Sequence, residues 1–239
     1  MIALLPSDLA GPVLLGSGGA GQTCRNDLAL NIPLGDPGRC PDIPTLSLSI
    51  FDDSGSVLGG ADSTGRRYEE AALAINKVAR RCRCGRDLVG VLHMNRPSSG
   101  DLAPTALKGL HSKSASPLTD ALRVPTDGDG ASVLAGTLTR ARSLAESHPQ
   151  HLTVLSVFSD FELFENLPRL WADMGDFPGK VHAVVLRAQP PPTLEDDERI
   201  SVTTVSNGTP PGAVARALFA DLTHHRRDRK LLKTAASAS

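Results

Sequence analysis

The sequence predicts an α/β fold: a mostly parallel central sheet flanked by helices, in three Rossmann-like layers. Three observations predict it. Short apolar β-prone runs alternate along the chain with stretches of helical periodicity. Two of those runs end abruptly in oxygen-bearing side chains, at Asp52 and Asp160, where sheets of this class place their ligand sites. Aromatic residues make up only 3% of the 239 residues, so the core must come from Ala, Val, Leu and Ile.

In chain order, residues 1–44 are rich in Gly and Pro and read as an N-terminal extension. Gly16-Ser17-Gly18-Gly19-Ala20-Gly21 lacks the Gly-Lys-Ser/Thr ending of a phosphate loop and reads as a plain loop. Leu28–Ile32 is a candidate edge strand. The first core strand covers about 45–51 and runs into Asp52-Asp53-Ser54-Gly55-Ser56. Over 67–80, Tyr68, Ala71, Ala72, Ile75, Val78 and Ala79 recur at helical spacing, and Gly85 closes the segment. Asp87–Met94 reads as the second strand, with His93 a packed core residue rather than a ligand.

Residues 95–131 carry little pattern. Leu122-Arg123-Val124-Pro125 is expected to be a short edge strand, because proline is tolerated there. A helix follows over 133–145, with Ser132 at its N-cap. His151–Phe158 is a strongly β-prone strand that ends at Ser159-Asp160, and a helix is expected from Leu163 to Met174. Strands at 181–186 and 200–205 flank an acidic, proline-rich surface loop. Val214, Leu218 and Leu222 mark a C-terminal helix. The core domain is thus assigned to 45–225, with 226–239 as a basic, flexible tail. The basic run His224–Lys230 reads as a solvated helix end whose charge complements the helix dipole.

Composition narrows the function classes. A net charge of −1 argues against nucleic acid as the main partner. No apolar run approaches the ~20 residues of a membrane span, and the first residues lack a basic n-region, so a cytoplasmic location is expected. The preference for Arg over Lys, with frequent Ala and Gly, suggests a bacterial genome of high GC content. Cys24, Cys40, Cys82 and Cys84 read as reduced thiols. Cys82-Arg83-Cys84 is too close for an ordinary structural zinc pair, and no partner pair stands at finger spacing. A Cys24–Cys40 disulfide is the other arrangement considered.

Asp52, Ser54 and Ser56 stand at alternate positions around Gly55, and hydroxyls with carboxylates at a strand end suit a hard cation such as Mg²⁺. This D-x-S-G-S pattern resembles the first motif of the von Willebrand factor A (vWA) family, whose site is called the metal-ion-dependent adhesion site. The resemblance extends over roughly 44–225, with Ser132 in the place of the family's Thr before a middle helix and Asp160 in the place of its Asp after the fourth strand. It implies a Mg²⁺ site, with Mn²⁺ or Ca²⁺ as substitutes. Ser54 and Ser56 would be direct ligands and Ser132 a third, direct or through water. Asp52 and Asp160 would act through waters and hydrogen bonds. A carboxylate from an Asp or Glu of a protein partner would complete the shell, and no catalytic role is required. Two departures stand out: Ser132 replaces Thr, and Phe161 follows Asp160 where the family often has Gly. Phe161 and Phe164 are therefore candidates for the rim of the site, with packing of at least one into the core as the other reading. Thr126 is an alternative occupant of the Thr position, and Asp127 and Asp129 are either turn residues or a source of a direct carboxylate. The competing readings are a Mg²⁺-dependent phosphoryl-transfer enzyme with Asp52 as nucleophile, and a metal-free interaction domain with a degenerate site. The first expects a second Asp where Ser54 stands.

Overall fold

The computed structural model describes residues 31–57, 61–94, 100–110, 117–123 and 132–236, with side chains as far as Arg226. Six strands form one sheet: β1 (Thr45–Phe51), β2 (Leu88–His93), β3 (Leu102–Ala106), β4 (Leu152–Ser159), β5 (Lys180–Leu186) and β6 (Ile200–Val205). Their spatial order is β3-β2-β1-β4-β5-β6. All neighbours pair in parallel except β2 and β3, which are antiparallel. The helices are α1 (Arg67–Ala79), α2 (Pro117–Ala121), α3 (Ala135–Glu146), α4 (Leu167–Gly175), α5 (Pro192–Glu195) and α6 (Ala213–Ala236).

The two faces of β1 explain the layering. Leu46, Leu48 and Ile50 alternate along the strand and share one core with Leu138 and Ala141 of α3 and with Leu170, Trp171 and Met174 of α4. Phe51 points the other way, into a core with Tyr68, Ile75 and Val78 of α1 and Val214, Leu218 and Leu222 of α6. A 13-residue helix such as α1 is marginal in isolation. Burying Ile75 and Val78, at roughly 1.5–3 kcal/mol each, is what holds it. Glu70 and Ser63 then fix α6 against α1. The buried Glu70 carboxylate accepts the Gly212 and Ala215 N–H groups, and Ser63 Oγ accepts that of Val214, which satisfies the first turn of α6.

Four expectations change. The edge strand is β3 at Leu102–Ala106, not Leu122–Pro125. The edge position does hold a proline, but it is Pro104 rather than Pro125. Leu122 and Arg123 instead follow α2, and Val124 and Pro125 lie outside the described residues. Ser132 does not cap α3. Its N-cap position is Leu134, and the Glu165 carboxylate accepts the Leu134 and Ala135 N–H groups from across the chain. The helix expected from Leu163 begins only at Leu167, because Asn166 caps it through the Arg169 N–H and Pro168 suits its first turn. Finally, Arg226 is not a solvated helix end: it is 5% exposed and paired with Asp87. Of the candidate strand Leu28–Ile32, only Asn31 and Ile32 are described, and they are not in a strand.

Candidate metal centre

With β1 between β2 and β4, successive connections leave the centre of the sheet in opposite directions. The switch point lies at the carboxyl ends of β1 and β4. Asp52 follows the first strand and Asp160 the second. The Asp52 N–H donates to Phe158 O at 2.9 Å, which continues the ladder one residue beyond β1 and fixes the loop's origin.

Asp52 is fully buried. Its Oδ1 accepts the Ser54 N–H at 2.8 Å and its Oδ2 accepts Ser159 Oγ–H at 2.6 Å. Ser159 Oγ in turn accepts the Phe161 N–H at 2.9 Å. One hydroxyl thereby ties the end of β1 to the loop after β4. Burial pushes the Asp52 carboxyl above its ordinary value. The bonds from Ser159 and Ser54 oppose that rise, and the negative charge of Asp160 adds to it. The Ser54 and Ser56 hydroxyls lie 3.0 Å apart, within a short 3₁₀ turn over Gly55–Val57. Asp160 is 5% exposed, and its Oδ1 accepts the Glu162 N–H. Ser132 joins the third loop through its carbonyl, which accepts the Phe164 N–H at 2.9 Å. The structure thus brings Asp52, Ser54, Ser56 and the Asp160 loop together and ties Ser132 to that loop. Thr126, Asp127 and Asp129 lie outside the described residues.

The two phenylalanines divide. Phe161 is buried against Trp171 and takes φ 58°, a left-handed conformation that normally favours Gly. Phe164 is 85% exposed beside Ser132.

Beneath this loop lies a network that sequence reading missed. Asp53 points opposite to Asp52. Tyr68 Oη–H donates to its Oδ1, and His93 Nδ1 lies 2.8 Å from its Oδ2. His93 Nε2 meets Ala121 O at 2.8 Å, so both ring nitrogens face acceptors and His93 is unavailable as a ligand. Burial works against its charge, but the bond and charge of Asp53 outweigh that, and the imidazolium is favoured. Arg67, 1% exposed, donates to Val57 O, Thr64 O and Asp52 O. Burial lowers its pKa to about 10, against the charges of Asp53 and Asp52, so it stays ionised at neutral pH.

With its folded value above the unfolded ~6.5, His93 contributes stability that is complete below that pH. The contribution is lost as pH rises through the folded value. Nitrogen-15 NMR of labelled histidine is expected to show both His93 nitrogens protonated at pH 7, and Asp53→Asn is expected to lower its pKa. A neutral His93 at pH 7 in the wild type would contradict this.

A cavity of about 420 Å³ lined by Pro44, Leu88, His148 and His151 opens elsewhere on the molecule, and no predicted site residue lines it. No helix among the described residues is long and apolar enough to cross a membrane.

No protein-family model matches the sequence, and no curated protein does. Solved structures do match. A von Willebrand factor type A protein from Catenulispora acidiphila superposes with a TM-score of 0.54 at 14% identity, covering 77% of this chain and 43% of that one. The fold is the vWA fold. The SpRpn10 vWA domain matches with a TM-score of 0.50 at 12% identity, over 74% of this chain and 94% of that one. BatB from Bacteroides thetaiotaomicron gives 0.50 at 12% identity, over 76% and 98%. This chain spans under half the length of the Catenulispora protein. At these identities the shared property is the vWA fold itself.

Proposed function

We propose that the chain is a Mg²⁺-dependent protein-interaction module whose site takes an acidic side chain of a partner. Ser54 and Ser56 would hold the cation through their hydroxyls, with Ser132 as a third ligand, direct or through water. Asp52 and Asp160 would act from behind, through hydrogen bonds and bound water. The cation would supply an electrophilic anchor for a carboxylate, and the exposed Phe164 an apolar contact beside it. A bacterial multi-protein system in the cytoplasm is the setting this reading assigns.

The observation that carries the proposal is the pair of buried carboxylates at the switch point, where the Arg67 guanidinium bonds backbone carbonyls rather than either carboxylate. Asp52 and Asp160 are both buried and the Asp160 charge raises the Asp52 pKa, yet among the described residues neither carboxylate forms an ion pair. A hard cation beside two serine hydroxyls balances that charge, and the donor set of oxygens fits it. Binding suits the geometry better than phosphoryl transfer. Both Asp52 oxygens already accept hydrogen bonds in a fully buried position, which is not where a nucleophile can be reached.

The test is titration with Mg²⁺ and Mn²⁺ by calorimetry and by manganese EPR. One saturable ion per chain is expected, lost in the Ser54→Ala/Ser56→Ala variant with its circular dichroism unchanged. Absence of saturable binding in the wild type would leave the metal-free interaction domain as the better reading.

A further inference from the structure

We propose that Cys40, Cys82 and Cys84 form a second metal site, a zinc-thiolate centre at the amino-terminal end of the sheet, with Asp87 on its fourth side. Cys40 lies in the segment that leads into β1. Cys82 and Cys84 lie in the turn between α1 and β2, and Asp87 immediately precedes β2. One ligand atom from each of the four residues falls within 4.8 Å of the others.

The spacing of the sulfurs is that of a metal tetrahedron. Cys82 Sγ stands 3.8 Å from Cys40 Sγ and 3.7 Å from Cys84 Sγ. Zn–S bonds of about 2.3 Å in a tetrahedron set sulfurs about 3.8 Å apart. A disulfide would need them at about 2.05 Å, and all three cysteines are free, while Cys24, the other partner in the disulfide suggested for Cys40, lies outside the described residues. Asp87 Oδ2 lies 3.9 Å from Cys82 Sγ and completes the outline.

Two of the three sulfurs face backbone N–H donors. The Arg83 N–H donates to Cys40 Sγ at 3.3 Å, and the Arg86 N–H donates to Cys84 Sγ at 3.4 Å. Gly85, at φ 68°, supplies the left-handed turn between those two donors. Arg226 pairs with Asp87 where both side chains are fully buried, while its Nε and Nη1 have no partner. Three thiolates around a dication leave one excess negative charge. The guanidinium offsets part of the negative charge that the thiolates and Asp87 bring, and its unpartnered Nε and Nη1 are donors of the kind that thiolates accept.

A soft, sulfur-rich tetrahedron selects Zn²⁺ over Mg²⁺. This makes the centre independent of the Asp52 site. The two lie at opposite ends of the seven-residue strand β1, roughly 20 Å apart at ~3.3 Å per residue. The centre would fasten three segments that the sheet alone leaves loosely joined: the chain before β1, the α1–β2 turn and, through Arg226 and Asp87, the helix α6.

The experiment uses the full chain purified under reducing conditions without added chelator. Elemental analysis is expected to find one zinc per chain. Exchange for Co²⁺ should produce the sulfur-to-cobalt charge-transfer band of a thiolate site. Cys84→Ser should abolish that band or lower cobalt affinity at least tenfold. Both Cys24→Ser and Ser54→Ala/Ser56→Ala should keep it. Should Cys84→Ser fail to fold, the cobalt spectrum of the wild type decides alone. A zinc-free wild type that gives no charge-transfer band on cobalt addition overturns the proposal. So does a Cys40–Cys82 disulfide in the native protein, or loss of the band in Cys24→Ser.

Discussion

Arg67→Ala is expected to cost about 3–5 kcal/mol, the range for stripping one partner from a buried charge cluster. That is a large share of the 5–15 kcal/mol that holds a typical domain. The guanidinium is 1% exposed and donates to three backbone carbonyls, of Asp52, Val57 and Thr64, on the two segments that flank the serine turn. It also stacks on its neighbour Tyr68 at 4.5 Å and faces the charges of Asp53 and Asp52. Truncation leaves buried acceptors without donors and Asp53 with one fewer positive neighbour. Arg67→Lys is not expected to rescue it, because one ammonium cannot reach carbonyls on both sides of a planar fork. Urea unfolding monitored by circular dichroism checks this. A loss below about 1 kcal/mol, the scale of a single ordinary hydrogen bond, would show that the loop is held by something else.

Arg67 also marks the limit of what the sequence shows. As a sequence position it is the first residue of an amphipathic helix, and a charge there normally faces water. Its burial follows only from the close approach of α1 to the loop after β1, which is a tertiary fact. The same holds for His93, which reads correctly as a packed residue but whose two acceptors come from Asp53 and Ala121, 40 and 28 positions away. β1 was readable from the alternation of Leu46, Leu48 and Ile50 with Ser47 and Ser49, and β4 and β5 from the largely apolar runs that parallel strands buried on both faces carry. The edge strand β3 was not, since Leu-Ala-Pro-Thr-Ala lacks both alternation and a long apolar run. The strand-end oxygens were readable because Asp52, Ser54 and Ser56 are close in sequence. Ser159, which braces Asp52 from β4, and Glu165, which holds the start of α3, carry no local signal. The cysteines show the opposite case. Their spacing, 40 to 82 to 84, matches no linear pattern, and only the return of β2 beside β1 brings Cys40 onto the other two.

Asp52→Asn is expected to separate stability from function. The replacement is isosteric. Its oxygen can accept the Ser54 N–H, and its amide can donate to Ser159 Oγ, which has a second lone pair beside the one used by Phe161. What it removes is a buried charge that stands near Asp160. In chelator the variant should therefore be at least as stable as wild type. The pH dependence gives the sign. The folded Asp52 pKa lies above the unfolded ~3.9, so the wild type loses stability as pH rises through the folded value. The asparagine variant lacks that loss, and its advantage should open on going from about pH 4 toward neutrality. In Mg²⁺ the order should reverse. A background carboxylate that orients hydroxyl ligands typically accounts for 10–100-fold in metal affinity. Wild type at a hundred times its dissociation constant gains about 2.7 kcal/mol from the ion, and a 10–100-fold weaker variant loses from about half to most of that gain. Thermal unfolding of both proteins with Mg²⁺ and with chelator, at two pH values, reads out the crossing. Were the variant less stable than wild type in chelator, Asp52 would be a structural anchor first. Were Mg²⁺ to stabilise both equally, the cation would bind somewhere other than the end of β1.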